Sequence, residues 1–114
     1  MAERRFFQDS TDTIAFGAGA TIFAEGDPGE AMYVVQSGTV EIRQAGAPVN
    51  TLGPGEIFGE LALIDQSPRS ATARASSDCR LVALNEQRFL FSIQHSPLFA
   101  LEVLRTLARR LRAR

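Results

Sequence analysis

The sequence predicts a mainly β domain, a double-stranded β-helix jelly roll with helices flanking it at the C-terminal end. Three observations predict this. Short apolar runs alternate with glycine-centred turns from Thr13 to Leu84, at a density that suits a jelly roll. After Asn85 the apolar period changes from two to between three and four. Between these regimes the stretch Gly55 to Ala75, reading GEIFGELALIDQSPRSATARA, concentrates a glycine, carboxylates, an arginine and hydroxyls around one short apolar run.

Taken in order, residues 1–12 read as a lead-in or short helix held on the domain by Phe6 and Phe7, and 13–114 as one domain, with its β-roll over 13–85 and its helices over 86–114. Thr13 to Phe16 and Thr21 to Phe23 are short strands set off by Gly17-Ala18-Gly19 and Glu25-Gly26-Asp27-Pro28-Gly29. Ala31 to Gln36 and Thr39 to Arg43 are the clearest strands, and Ser37-Gly38 between them reads as a two-residue hairpin turn. In the second strand Val40 and Ile42 alternate with polar neighbours, so one face is buried. Gln44 to Pro48 is a turn, Val49 to Leu52 a strand, and Ala71 to Ala75 with Arg80 to Leu84 complete the sheets. Asn85 caps a helix carrying Phe89, Leu90 and Ile93, and Pro97 opens a second helix. On that second helix Leu101, Leu104, Ala108 and Leu111 recur at intervals of three and four, with Arg105, Arg109 and Arg112 on a different, solvated face.

Composition excludes several functions. At 114 residues the chain can bury a core without disulfides or metal. A net charge of -1 provides no field that draws the chain to nucleic acid, and there is neither a helix-turn-helix pattern nor a long apolar run. The N-terminus lacks a signal-peptide pattern, so a soluble, cytoplasmic protein is expected. One cysteine, Cys79, and one histidine, His95, cannot build a zinc site. Cys79 reads as a small buried hydrophobe in a strand and His95 as a helix C-terminal residue. Cupin-like catalysis and metal-dependent phosphodiester hydrolysis both need ligand clusters that this composition lacks, so no enzyme is expected.

The chemistry lies in the central stretch. A helical turn starting at Gly59 presents unpartnered N–H groups suited to an anion, and glycine allows close approach. Arg69 offers a planar fork of donors that matches a phosphate, and Ser70 adds a hydroxyl, provided the loop Asp65 to Pro68 folds back over the turn. Glu60 beside an anion site is explained if it accepts from a neighbouring hydroxyl, such as a ribose 2'-OH. Phosphate and sugar hydroxyl together indicate a nucleotide. The plainer reading of the same residues is a surface salt bridge between Glu60 and Arg69.

The run Phe58-Gly59-Glu60-Leu61-Ala62-Leu63 through Pro68-Arg69-Ser70-Ala71-Thr72 resembles the phosphate-binding cassette of the cyclic nucleotide-binding domain family. The resemblance extends through Phe23 to Asp27, Met32 to Val35, Gly38 to Val40 and Phe89 to Arg110. It implies that Glu60 accepts the ribose 2'-OH and that Arg69 pairs with the exocyclic phosphate oxygens. Phe58, Gly59, Leu61, Ala62, Ser70 and Ala71 complete the implied ligand contacts. Ile42 and Leu52 would wall the base together with Leu61, and Arg110 corresponds to an arginine that reaches the cassette glutamate or ligand in some members. The implied ligand is cAMP, with cGMP left open by Ser70, and no further cofactor. The family's lid contact over the base would fall at or beyond Arg114. The expected role is a sensor that passes ligand occupancy through its C-terminal helix to an effector protein or fused module. The alternatives are a ligand-independent interaction module that forms a homodimer through that helix, and a fragment of a transcription regulator.

Overall fold

A computed structural model describes residues 6–113. Its strands are β1 (Ile14–Phe16), β2 (Thr21–Phe23), β3 (Met32–Ser37), β4 (Val40–Gln44), β5 (Ala47–Leu52), β6 (Ile57–Phe58), β7 (Thr72–Ala75) and β8 (Cys79–Leu84). The helices are α1 (Glu60–Asp65), α2 (Glu86–His95) and α3 (Pro97–Arg112). The strands form two antiparallel four-stranded sheets, ordered β1-β8-β3-β6 and β2-β7-β4-β5. This is the mainly β, jelly-roll-like sandwich with flanking helices that the sequence predicts.

The strand period explains how one sheet serves two cores. Along β3, Met32 and Val34 face the helices, where they pack with Ile57, Leu63, Val82, Leu84, Phe99 and Val103. Val35 faces the other sheet and packs with Val40, Leu52, Phe58, Ala73, Ala75, Cys79 and Leu81. Phe99, fully buried, is the keystone of the helical side, and burial of such a side chain contributes about 1.5–3 kcal/mol. Phe6 packs tilted and Phe7 edge-on against it, with ring centroids 5.1 and 5.2 Å away. The side-chain amide of Gln36 donates to the carbonyls of Phe7 and Ser10 and ties this segment to β3. Residues 1–5 of the lead-in lie outside the described residues.

Two local expectations are corrected. Ser37-Gly38 is not a hairpin: β3 and β4 belong to different sheets, and the chain crosses between the sheets there. Gly38 has φ 79°, and a Cβ on it would collide with the Asp78 carbonyl and Cys79, so the crossing requires glycine for both conformation and space. The turn expected over Gln44 to Pro48 contracts to Ala45-Gly46, both at positive φ, as tight hairpin turns require. β5 therefore starts at Ala47, and Pro48 sits opposite Arg43 on the edge strand, where its missing N–H costs no ladder bond within the sheet.

The helices start as expected. Asn85 Oδ1 accepts from the Arg88 N–H at 2.8 Å, and Pro97 occupies the first turn of α3. The face that α3 buries carries Phe99, Val103 and Thr106. Leu101, Leu104 and Leu111 are exposed, as are Arg105, Arg109 and Arg112.

Candidate functional site

The site is built around the start of α1. Strand β6 ends at Phe58, and Gly59 turns the chain at φ 77°, a left-handed conformation. The positive φ favours glycine, and a Cβ there would lie 2.7 Å from Arg69 Nη1 and push the guanidinium away. Glu60 opens the helix and is 3% exposed. A carboxylate taken out of water to that degree needs a partner, and Arg110 on α3 supplies it. Arg110 Nη1 pairs with Glu60 Oε1 while its Nη2 donates to the Ile57 carbonyl. Burial pushes the Arg110 guanidinium below arginine's ordinary range, and the charge of Glu56 opposes this.

After α1 the chain reverses through Gln66 at φ 58°. Asp65 accepts from the backbone N–H and the hydroxyl of Ser67, which holds its carboxyl below the usual range and closes the loop. This is the fold-back that brings Arg69 over α1. Arg69 is 6% exposed and is stitched to the β2–β3 connection through its backbone: its N–H donates to the Asp27 carbonyl, and its carbonyl accepts from Gly26, both at 2.8 Å. Its side chain makes one hydrogen bond, from Nη1 to the Gly59 carbonyl at 3.1 Å. Nε is buried without a partner. Burial pushes this guanidinium below its ordinary range, with Tyr33 and Asp27 pulling it back up. The simple Glu60–Arg69 salt bridge is thus replaced by two separate arrangements: Glu60 with Arg110, and Arg69 with backbone.

These groups border a cavity of about 390 Å3. Phe58, Gly59, Glu60, Leu61 and Ala62 line one side of it, Arg69, Ser70 and Ala71 another, and Ile42 and Arg110 also reach it. The volume falls in the range of small-molecule sites, about 300–1,000 Å3. The arrangement can receive an anion beside Arg69 and a hydroxyl beside Glu60, with apolar surface from Ile42, Leu61 and Phe58 between them.

Leu52 lies elsewhere. It is 3% exposed in the core between the sheets and borders an adjoining cleft of about 260 Å3, which shares Asn50 and Arg110 with the cavity. The register explains the difference: Ile42 faces Asn50 and Val40 faces Leu52, so Leu52 sits one pair deeper than the cavity wall. Asn50, opposite Ile42, lines the cavity, and Leu52 does not. The sequence reading also omits Phe23, Gln44, Val49 and Ala113, which line the cavity. Val49, an exposed apolar residue on an edge strand, carried a signal; the others are brought in by tertiary structure alone.

Cys79 is buried in β8, and burial raises its thiol pKa, while the His95 ring stacks on Phe91 near the end of α2, as expected. Among the described residues no three His, Cys, Asp or Glu side chains cluster as a metal site. Among them, too, no helix is long and apolar enough to cross a membrane.

Comparison with known proteins agrees with this geometry. The family model described as "Cyclic nucleotide-binding domain" matches residues 13–96. The cAMP-dependent protein kinase regulatory subunit of Emericella nidulans is 43% identical over 89 residues, 76% of this chain and 22% of that subunit. The chain therefore spans about a fifth of that relative's length. Among solved structures, the Thermus thermophilus catabolite activator protein has a TM-score of 0.79 and 41% identity, covering 90% of this chain and 50% of that one. An EAL enzyme in its cAMP-bound form has a TM-score of 0.66 and 36% identity, covering 90% of this chain and 29% of that one. The chain belongs to the cyclic nucleotide-binding domain family.

Proposed function

We propose that this chain is a regulatory sensor domain spanning residues 13–114 that binds cAMP, with cGMP as its competitor. The observation that carries the reading is Arg69: a guanidinium 6% exposed on a cavity wall, held by one side-chain hydrogen bond and retaining a buried Nε without a partner. A buried cation with unused donors favours an incoming anion, and a phosphate matches the guanidinium fork. Glu60, acceptor-only when ionised, takes the ribose hydroxyl on the same ligand. cAMP is favoured because it figures in the name of the regulatory subunit to which this chain is similar, and cGMP is kept as its competitor because the EAL enzyme is solved with either nucleotide.

Occupancy passes to α3 through Arg110, which joins Glu60 to the helix. A ligand that changes Glu60's hydrogen bonding alters that link, and the signal equals the difference in ligand affinity between the two positions of α3. The chain itself is read as a binding module acting in the cytoplasm, with catalysis and output supplied by an effector protein or fused module. A second reading rests on Leu104 and Leu111, 62% and 67% exposed, which would bury against a second copy or an effector.

The contact expected over the base lies at or beyond Arg114, outside the described residues. Calorimetric titration of the folded chain with cAMP and cGMP tests the proposal. Micromolar or tighter binding of cAMP is expected, weaker for cGMP; no heat with either at several temperatures overturns it.

A further inference from the structure

Three residues from two separate stretches of the chain shape the space occupied by the Arg69 side chain. The guanidinium carbon lies 4.0 Å above the centroid of the Phe23 ring, a cation–π distance. That ring is itself fixed, with centroids 5.9 Å from Phe58 and 6.0 Å from Tyr33. Two glycines form the other walls. A Cβ on Gly59 would lie 2.7 Å from Nη1, and a Cβ on Gly29 would overlap Nε and the guanidinium carbon. Gly59 also needs glycine for its φ of 77°, whereas the φ of Gly29 lies outside the left-handed region. At Gly29 a side chain meets only the arginine, and would have to displace the guanidinium from its position.

Hydrogen bonding does not set this geometry by itself. One bond from Nη1 to the Gly59 carbonyl leaves rotation about that contact open, and Nε has no partner. The flat face of Phe23 and the missing Cβ of Gly29 supply the remaining constraints.

We infer that Phe23 and Gly29 are positioning residues, forming a slot that presets the Arg69 guanidinium for an anionic ligand. The inference rests on the proposed function only for the identity of that anion, a cyclic phosphate. The slot acts before ligand arrives, so binding does not bear the cost of ordering a long side chain.

The test uses the 114-residue chain and the variants Phe23→Leu, Phe23→Tyr and Gly29→Ala, each checked for folding by thermal melting. Two readouts are taken: calorimetric affinity for cAMP, and the nitrogen–proton NMR signal of Arg69 Nε–H without ligand. Stacking on Phe23 predicts an upfield ring-current shift of that signal. Phe23→Leu removes the shift and weakens cAMP binding by about three- to tenfold, the range of a partly desolvated cation–π contact. Phe23→Tyr keeps both properties, and Gly29→Ala displaces the signal and weakens binding. A merely structural role would lower the melting temperature without a selective change at Arg69. Unchanged cAMP affinity, or an unmoved Nε–H signal, in folded Phe23→Leu overturns the inference. Should Phe23→Leu not fold, Gly29→Ala decides on the same two readouts. A parent chain that binds neither cAMP nor cGMP sinks the ligand assignment, and the Nε–H signal still decides whether the slot exists.

Discussion

Arg69 and Glu60 are buried to nearly the same depth, 6% and 3% exposed, on the same cavity, yet the chain provides for their charges in opposite ways. Glu60 has an ionic partner from α3, fifty residues away. Arg69 has a backbone carbonyl, an aromatic face and a donor left without a partner. The difference teaches which group waits for ligand and which transmits. A cation lacking a counter-ion gains most from an arriving phosphate, whereas a carboxylate already paired with Arg110 shares its acceptor capacity between ligand and helix. In the proposed function Arg69 and its slot take the phosphate, while Glu60 takes the ribose hydroxyl and, through Arg110, links the ligand to α3.

The contrast can be broken at either end. Arg69→Ala should have the largest effect, weakening cAMP by about 2–5 kcal/mol in calorimetric titration while the melting temperature changes little, because it strands the phosphate charge. Leu52→Ala should cost about 2–5 kcal/mol of folding stability in urea titration and leave cAMP affinity unchanged, because Leu52 belongs to the core between the sheets and not to the cavity. A large affinity loss in Leu52→Ala would return that residue to the base pocket. Arg110→Ala should destabilise the fold by about 1–3 kcal/mol, since it leaves a buried carboxylate without its partner. Hydrogen exchange should also speed up along α3, and unaltered exchange there would break the proposed route from Glu60 to the helix.

Much of this was legible before any coordinates. The glycine turns, the alternation of Val40 and Ile42, the Asn85 cap and the Pro97 start are local signals, and local chemistry decides them. Apart from the Ala45-Gly46 turn, which is local, most of the misreadings turned on a partner distant in sequence. Whether Gly38 closes a hairpin or crosses to the other sheet depends on where β7 and β8 lie, since β4 pairs with β7 and β3 with β8. β6 is two residues long, too short for any period to reveal. On α3 two rows have helical spacing: Leu101, Leu104, Ala108 and Leu111 are the more apolar, yet the row that faces inward carries Phe99, Val103 and Thr106. Thr106 and Arg110 look like surface residues in sequence, and they gain their places only when the helix docks. Ile42 on β4 and Leu52 on β5 lie on neighbouring strands, and only the register separates core from cavity wall.

In the proposed function Arg69 and Glu60 recognise different parts of one ligand. The direct test is a comparison of cAMP with its 2'-deoxy analogue on the parent chain and on Glu60→Ala. Glu60→Ala should weaken cAMP by about 1–3 kcal/mol, leave the deoxy analogue's affinity nearly unchanged, and so abolish the parent's preference for cAMP. Equal losses for both nucleotides would contradict the hydroxyl contact and with it the division of labour between the two charges.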